Sequence, residues 1–324
     1  MTANELTLSV IIVTYNSNDC IVECLDSLRD NELIDIKEVF VVDNASTDGT
    51  QHTLEKLSTK WPALKCIYNS ENMGLALANN QPMLSCSARY ILILNPDTVV
   101  RKGAIAELVT YLDQHRDVGV VGPKQFFADG SPHVTYHRSW SILSPILWRF
   151  LPYGLVRFCY DKVFGRYEEQ DVLFVSGACL MIPRNLFWAI GGYDENYFLA
   201  VEDAVDLCMR VKKEGYRIVF YPEAEVVHIG GLSGVQVKPL ALSKGCEGNL
   251  YHLRKHNSAA LASFLRILLI INFSIKAIIM GPLCLLGLRR FCAYFNAYVY
   301  TTGKLLAEKP PKIRKNGHGS TSET

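Results

Sequence analysis

Apolar runs alternate with amphipathic segments through the first hundred residues, and this alternation constrains the fold more than any other feature. Four runs have the composition of buried strands, and they read LTLSVIIVTYN, EVFVVDN, LKCIYN and YILILN. The segments between them carry helix signals, such as the Ser, Thr and Asp residues that open STDGTQHTLEKL. The pattern predicts an α/β fold with a mostly parallel sheet and helices on both faces.

Each of these predicted strands ends in a polar residue. Asn16, Asp43, Asn69 and Asn95 fall at the four ends, and the last is followed by a proline and Asp97. Ligands of such sheets bind outside the carboxyl ends of the parallel strands. The polar ends therefore mark the edge where we expect the functional site.

The second half of the chain supplies more polar groups to the same pattern. Two further strands are predicted, VLFVSGACLMIPR and YRIVFYPEAEVVHI, with the helix EDAVDLCMRVKKEG between them, which makes the sheet mixed. Glu202 and Asp203 begin the helix, and His228 closes the last strand. An apolar insert at 138–160 reads as a packed helical hairpin, with an acceptor-facing or membrane-facing loop as the alternative.

Each polar residue also has an ordinary structural explanation. Asp48 and Asp43 suit turns or caps, Glu202 and Asp203 suit a helix N-terminus, and a single His after a strand is usually structural. Taken together, several carboxylates and a His at one edge would repel one another without a cation. The set therefore implies a divalent metal with oxygen ligands.

Composition excludes several classes of function. The chain has 324 residues with 33 Lys plus Arg against 32 Asp plus Glu, so its net charge gives no reason to expect a nucleic-acid partner. Its ten cysteines include no CxxC pair, which favours reduced thiols in the cytoplasm and makes a zinc site unlikely. The N-terminus lacks the basic and apolar regions of a signal peptide, and none is expected.

The composition changes near residue 258, where LASFLRILLIINFSIKAIIMGPLCLLGL is strongly apolar. On a helical wheel, Arg266, Asn272, Lys276 and Arg290 form a polar stripe about 120° wide, as in a helix lying in a membrane interface. Pro282 is expected to bend or divide this helix. A helix that spans the bilayer, or one packed on the catalytic domain or in a dimer interface, is the alternative.

Three parts of the chain are predicted from these changes. Residues 1–257 form the catalytic domain, residues 258–303 a membrane-associating helical segment, and residues 304–324 a basic disordered tail. The expected location is cytoplasmic and peripheral, at the inner face of the plasma membrane.

The ordered motifs of residues 7–257 resemble glycosyltransferase family 2, the inverting nucleotide-sugar transferases of the GT-A fold. They read SVIIVTYN, VVDNASTDGT, NMGLALANN, LNPDTVV, SGACLMIPR, GGYDENYFLAVEDAVDLC, PEAEVVHIGG and LRKHN. Within the family the chain is most similar to the rhamnosyltransferase-type branch that builds bacterial surface polysaccharides. The resemblance implies transfer of a sugar, with rhamnose as the candidate, from a nucleoside-diphosphate sugar to a glycan or lipid-linked acceptor.

The resemblance also implies which residues bind the donor. The base, ribose and sugar would contact residues at the strand ends and in the third helix, namely Thr14, Tyr15, Asp43, Asn72, Gly74, Asn79 and Asn95. Asp97 would bind a magnesium or manganese ion that bridges the diphosphate, and His228 would be a further metal or diphosphate ligand.

The general base is implied at Asp203, but the motif departs from the family pattern. Two residues, rather than one, separate the Glu202–Asp203 pair from Asp206, so all three carboxylates stay candidates. A nucleotidyltransferase is a weak alternative, because no glycine-rich phosphate loop follows the first strand. A non-catalytic sugar-nucleotide-binding or membrane scaffold protein on the same fold is the other.

Overall fold

The computed structural model describes residues 7–31, 34–137, 167–198, 202–229 and 239–307. The chain divides into two compact units, Met1–Gln236 and Val237–Thr324. The predicted domain boundary after residue 257 stays a prediction. The insert at 138–160 and most of the predicted tail, residues 308–324, lie outside the described residues.

The first unit is built on a mixed sheet with helices on its faces. The strands are β1 (Thr7–Thr14), β2 (Asp35–Asp43), β3 (Leu64–Tyr68), β4 (Tyr90–Leu94), β5 (Thr98–Val100), β6 (Val118–Phe126), β7 (Pro132–His133), β8 (Tyr136–His137), β9 (Gln170–Asp171), β10 (Phe174–Val175), β11 (Cys179–Pro183) and β12 (Arg217–His228). The order of the principal strands in the sheet is β3-β2-β1-β4-β11-β6-β12-β5. The helices are α1 (Ile21–Arg29), α2 (Thr50–Ser58), α3 (Leu75–Asn80), α4 (Ala104–Gln114), α5 (Arg184–Ala189) and α6 (Glu202–Lys213), with a short 3₁₀ helix at Met83–Ser85.

Strand direction explains why polar residues gather at one edge. Strands β1, β2, β3 and β4 run parallel, so their carboxyl ends lie together. Strand β11 runs antiparallel between β4 and β6, and β5 pairs antiparallel with the end of β12. The α/β fold and mixed sheet predicted from the alternation are confirmed.

The core of this unit lies around the central strands. All five residues of β4 are buried, and the apolar side of α1 packs into the same cluster through Ile21, Cys24 and Leu28. A strand buried on both faces needs apolar residues at every position. This is why YILIL reads as a continuous run rather than an alternating one.

The second unit consists of three helices, α7 (Pro239–His256), α8 (Ala259–Leu285) and α9 (Arg289–Ala307). The side chain of Ser258 caps α8 by accepting the Leu261 N–H at 3.1 Å. The helix continues through Pro282 to Leu285, so Pro282 does not divide it, and the bend that was the other expectation stays a prediction. The turn comes instead near Gly287, whose φ of 79° is costly for other residues.

Two polar residues of the predicted stripe on α8 contact α9, and the predicted position of this helix in a membrane interface stays a prediction. The Arg266 Nε donates to the Leu305 carbonyl at 2.7 Å, and the Lys276 ammonium lies 5.8 Å from the centre of the Tyr298 ring. Asn272 is buried, while Arg290 belongs to α9 and not to α8. In this hairpin, the polar groups of Arg266 and Lys276 pair with the neighbouring helix α9, and the outer face of α8 is left to apolar residues.

The outer face of α8 is correspondingly apolar. Large exposed side chains recur along it, namely Phe264, Ile267, Ile271, Ile275, Ile278 and Ile279. Among the described residues α8 alone has the length and composition to cross a membrane, with a mean hydropathy of 2.1 over its most apolar 18 residues and only 22% of that stretch buried. Such low burial distinguishes α8 from the core helix of a globular domain.

A disulfide joins Cys284 at the end of α8 to Cys292 near the start of α9. The expectation that the thiols are reduced therefore does not hold for this pair, because the turn brings their Cα atoms to 4.6 Å. Six other described cysteines are free thiols, namely Cys20, Cys24, Cys66, Cys86, Cys179 and Cys208.

Candidate active site

The ends of β1 and β2 form the first part of the site. Asp43 is completely buried, and its Oδ1 accepts from the Thr14 hydroxyl at 3.3 Å. Its Oδ2 accepts from the Ser46 N–H at 3.0 Å and from Gln51 Nε2 at 2.7 Å. These bonds fix the carboxylate at the strand end, and Tyr15 beside it is 48% exposed.

The loops after the two strands bond to each other. Asn16 Oδ1 accepts the Thr47 N–H at 2.8 Å, and both Asn16 and Ala45 have positive φ, 53° and 63°. Backbone in this region is strained for residues other than glycine and clusters at functional sites. Asp48 Oδ1 accepts from the Thr50 N–H at 3.1 Å, an Asx turn ahead of α2, so of the two interpretations as a turn or a cap residue the structure supports the turn.

Asn44 was not predicted, and it joins three parts of the edge. Its Nδ2 donates to the Gly74 carbonyl at 3.1 Å, while its Oδ1 accepts from Asn69 Nδ2 at 2.9 Å and from the Met73 N–H at 3.3 Å. The signal in the sequence was an amide directly after the strand-end Asp43. Its role depends on partners 25 or more residues away, which local patterns do not reveal.

The segment from Asn72 to Asn79 approaches the chain near Phe198 closely. Asn72 Oδ1 accepts the Gly74 N–H at 3.0 Å, and the Leu75 N–H donates to the Phe198 carbonyl at 2.6 Å. Gly74 has a φ of +86°, and a Cβ there would lie 2.8 Å from the Phe198 oxygen. Asn79 is buried and donates to the Leu75 carbonyl of its own helix.

Asn80, also missed in the sequence, attaches α3 to the loop that precedes α6. Its Oδ1 accepts the Tyr193 N–H and its Nδ2 donates to the Tyr193 carbonyl, both at 2.8 Å. One side chain thus satisfies a donor and an acceptor of the same backbone residue. The predicted donor-binding segment and the loop leading to the predicted base are therefore directly bonded.

Asp97, His228 and Asn95 come together where β4, β5 and β12 meet. His228 Nε2 lies 3.2 Å from Asp97 Oδ1 and 3.5 Å from Asn95 Nδ2. Both members of the Asp–His pair keep about a sixth of their side-chain surface exposed. A carboxylate oxygen and an imidazole nitrogen that converge on accessible space fit a divalent ion such as manganese.

The donor set is small for a cation held by protein alone. No group of three or more His, Cys, Asp or Glu residues placed to hold a metal occurs among the described residues. Asp97 and His228 therefore suit an ion whose other ligands come from elsewhere, such as phosphate oxygens.

The acidic start of α6 gives three carboxylates with different environments. Asp206 is completely buried and pairs with Arg210, whose Nε lies 2.7 Å from its Oδ2. Asp203 is also buried, but its Oδ2 has no hydrogen-bond partner among the described residues. Burial, with the charges of Glu202 and Asp206 adding to it, raises the pKa of Asp203 to about 7.

Gly177 and Ala178 connect this helix start to the strand-end group. The Ala204 Cβ lies 3.4 Å from where a Cβ on Gly177 would be. The next residue, Ala178, accepts the Asn95 N–H at 2.9 Å. The Asp203 segment and the turn from Asn95 to Thr98, which carries Asp97, thus contact neighbouring residues of one loop, the loop that enters β11.

The chain is similar in sequence to a known protein over most of its length. N-acetylglucosaminyl-diphospho-decaprenol L-rhamnosyltransferase of Mycobacterium tuberculosis is 28% identical over 236 residues, which are 68% of this chain and 75% of that protein.

Solved structures of low sequence identity share the fold. GalNAc-T7 with UDP, GalNAc and Mn2+ has a TM-score of 0.59 at 18% identity, over 78% of this chain and 48% of that one, so this chain spans about half its length. Mannosyltransferase PcManGT from Pyrobaculum calidifontis, in complex with GDP-Man and Mn2+, has a TM-score of 0.53 at 17% identity, over 93% of this chain and 87% of that one. These similarities confirm the predicted GT-A fold.

The family itself is identified by sequence. The family described as Glycosyl transferase family 2 matches residues 9–191, more than half of the chain, and the match includes the strand ends with Asp43 and Asp97. The protein therefore belongs to glycosyl transferase family 2 and is a glycosyltransferase.

Proposed function

We propose that this glycosyltransferase moves a rhamnosyl group, with inversion, from a nucleoside-diphosphate sugar to a lipid-linked glycan acceptor, with Asp203 as the general base. The observation that carries the proposal is the environment of Asp203, which is buried, has an oxygen without a hydrogen-bond partner among the residues that the structure describes, and has a pKa raised to about 7. A base whose pKa lies near the working pH accepts a proton from a hydroxyl most effectively. The relative from Mycobacterium tuberculosis, named as an L-rhamnosyltransferase, supports the choice of sugar.

The strand ends would bind the nucleotide half of the donor. Asp43 is held by Thr14 and Gln51 and presents a fixed carboxylate for hydrogen-bond donors of the ribose or base. Exposed Tyr15 offers a ring beside it. Gly74 has no side chain, so a sugar diphosphate can approach the backbone closely there.

Asp97 and His228 would hold a divalent metal, with Asn95 beside them. When bound, such an ion stabilises the negative charge that develops on the leaving diphosphate. The neighbouring structures that contain Mn2+ with UDP or GDP-Man support manganese as the first ion to test. The chain's own contribution is to fix the two ligands by pairing β5 with β12 at Thr98 and His228.

The three candidate bases are separated by their partners. Asp206 pairs with Arg210, so its negative charge is already stabilised and it is a poor proton acceptor. Glu202 remains a second candidate because it is buried at the same helix start. Asp203 has the raised pKa and the unpaired oxygen, so it would remove the acceptor proton as the sugar's anomeric carbon is attacked.

We further propose that the α8–α9 hairpin binds the membrane, where a lipid-linked acceptor is presented. The exposed face of α8 is apolar over its whole length, and its charged residues face α9. Lipid is the solvent in which such an arrangement is stable, because in water the large apolar face stays exposed. The name of the Mycobacterium tuberculosis relative, with its diphospho-decaprenol, fits an acceptor in a bilayer.

A donor and metal screen on the purified full chain tests the proposed reaction. Nucleoside-diphosphate rhamnose with Mn²⁺ should raise the melting temperature and should be hydrolysed slowly, whereas GDP-mannose should do neither. A ligand at 100 times its Kd adds about 2.7 kcal/mol of stability. Asp97→Ala should lose the metal-dependent shift, and Asp19→Ala, an exposed carboxylate nearby, should keep it. Equal response to both donors would reject rhamnose as the substrate.

A further inference from the structure

A cavity of about 630 Å³ lies in the first unit at the opposite edge of the sheet from the active site. Its walls come from the amino ends of the parallel strands, next to Tyr90 and Val118, and from Pro183 at the end of antiparallel β11. The five residues of β4 put roughly 16 Å between the two edges. The cavity is therefore separate from the donor site.

Four cationic side chains line this space, and we call it the distal basic cavity, defined by Lys37, Arg89, Arg116 and Arg184. No Asp or Glu is among the described residues lining it. Asp113 lies behind two of the arginines, with its Oδ1 3.2 Å from Arg116 Nη2. One carboxylate against four cations leaves an excess of three positive charges, in a chain whose overall charge is nearly balanced.

Two of the three arginines, Arg184 and Arg89, are held in position by neighbouring groups. The Arg184 guanidinium lies 4.5 Å from the centre of the Trp188 ring, and its Nη1 donates to the Cys86 carbonyl at 3.4 Å. Arg89 pairs with Asp113, yet its Nε is buried and has no hydrogen-bond partner among the described residues. Arginine held against aromatic rings keeps its N–H fork directed, which suits a phosphate.

The neighbouring acidic groups already have other partners. Glu38, which follows Lys37 in β2, accepts from Ser9, Ser87 and Lys65. Asp117, next to Arg116, pairs with Arg217 at 2.8 Å. The positive charge of the cavity is thus not cancelled from these sides.

We propose that the distal basic cavity binds a phosphate group, as a second ligand site distinct from the donor site. Its volume falls within the range of small-molecule sites. Tyr90 and Tyr216 among its lining residues add apolar surface beside the cations. A phosphorylated small molecule and an anionic phospholipid headgroup share this chemistry.

Calorimetry on the full chain tests the proposal with inorganic phosphate and pyrophosphate in EDTA, which removes metal-dependent diphosphate binding at the active site. The cavity variant is Lys37→Gln/Arg116→Gln, since Lys37 is exposed and the Arg116 side chain is 66% exposed. The control is Arg29→Gln/Lys60→Gln, two exposed positions of the same unit away from the cavity. The cavity variant should bind at least about tenfold more weakly than wild type, and the control should bind as wild type does.

Vesicles of phosphatidylglycerol and of phosphatidylcholine distinguish the two sources of the phosphate. If calorimetry shows heat of binding with free phosphate or pyrophosphate, the ligand is a soluble phosphate compound. If the free anions give no heat, binding to phosphatidylglycerol vesicles identifies a lipid headgroup as the ligand. This conclusion requires that the cavity variant binds these vesicles more weakly and that the control variant does not. The proposal is wrong if neither free anion nor phosphatidylglycerol binds, or if the cavity variant and the control bind equally.

Discussion

Asp203 combines two properties that a folded protein normally avoids, a buried carboxyl group and a carboxyl oxygen with no hydrogen-bond partner in the described parts of the chain. Burying an ionised carboxylate without partners is costly, so the group takes up a proton more readily and its pKa rises. Asp206, three residues later, is equally buried but has Arg210 as a partner. This difference between the two positions is the reason why we propose Asp203, and not Asp206, as the general base.

We expect Asp203→Asn to lower the transfer rate by a factor of about 10² to 10⁴ while donor affinity changes little. In the wild type the rate should rise with pH through about 7, because the deprotonated carboxylate is the active form. Single-turnover rates at saturating donor, measured from pH 5 to 9, give both results. Glu202→Gln and Asp206→Asn serve as controls, and a greater loss in either one than in Asp203→Asn would move the base there.

The same substitution should stabilise the protein at high pH. The unfolded Asp203 ionises near its ordinary pKa of 3.8, whereas the folded group ionises near 7, so folding becomes less favourable as pH rises between these values. Asn removes this cost. The melting temperature of Asp203→Asn should exceed that of wild type by a few degrees at pH 8 and match it near pH 4. An equal difference at both pH values would contradict the raised pKa.

Gly74 and Gly103 share a positive φ but differ in ψ, which is 165° at Gly74 and −16° at Gly103, so comparing them tests the backbone conformation and the close contact at the donor segment together. Both have a φ of 86°, but a Cβ on Gly74 would lie 2.8 Å from the Phe198 oxygen, while nothing lies within 4 Å of one on Gly103. Gly103→Ala should cost about 1–2 kcal/mol for its backbone conformation alone. Gly74→Ala should cost roughly 1–3 kcal/mol more. Urea unfolding measures the free energy of unfolding of both variants. Equal losses of stability would mean that the chain near Phe198 moves aside at no cost.

The strands and their polar ends were predictable because a fully buried strand must be apolar along its length. The sequence therefore predicted that Asp43 and Asp97 lie at the edge of the sheet. The contact between Asp97 and His228 depends on β5 pairing with β12 across more than a hundred residues, and periodicity carries no information about that pairing. Asn44 and Asn80 were missed for the same reason.

Helix α8 shows the limit of periodicity from another side. The helical wheel located the polar residues of α8, but it did not show that Arg266 and Lys276 contact α9. The Arg266 bond to the Leu305 carbonyl joins residues 39 positions apart, and periodicity carries no information about such a partner. Which side is buried depends on the solvent, and the sequence pattern is the same in both cases.

Two charges on the outer face of α8 should release the protein from membranes. Ile271 and Ile278 are 50% and 73% exposed, so Ile271→Glu/Ile278→Glu should fold normally yet place carboxylates against lipid. The control, Thr59→Glu/Ala128→Glu, adds the same charge at exposed sites of the first unit. Vesicle flotation should show the first variant in the soluble fraction and the control with the vesicles. Equal flotation would reject lipid contact by this face.

In this proposal the two units have different roles. The first unit binds the donor, and the second unit brings the enzyme to the acceptor. Confinement to one surface raises the effective concentration of enzyme and acceptor for each other, without any new contact at the active site. The benefit should therefore depend on where the acceptor is and not on its sugar.

Ile271→Glu/Ile278→Glu also tests this division of work. Donor hydrolysis and transfer to a short, water-soluble acceptor analogue should equal those of wild type, because the catalytic unit is unchanged. Transfer to a long-chain lipid-linked acceptor in vesicles should fall by about tenfold or more. Loss with both acceptors would mean that the second unit supports catalysis itself. Full activity with both would show that the acceptor reaches the active site without help from the membrane, because the only property removed is the apolar face.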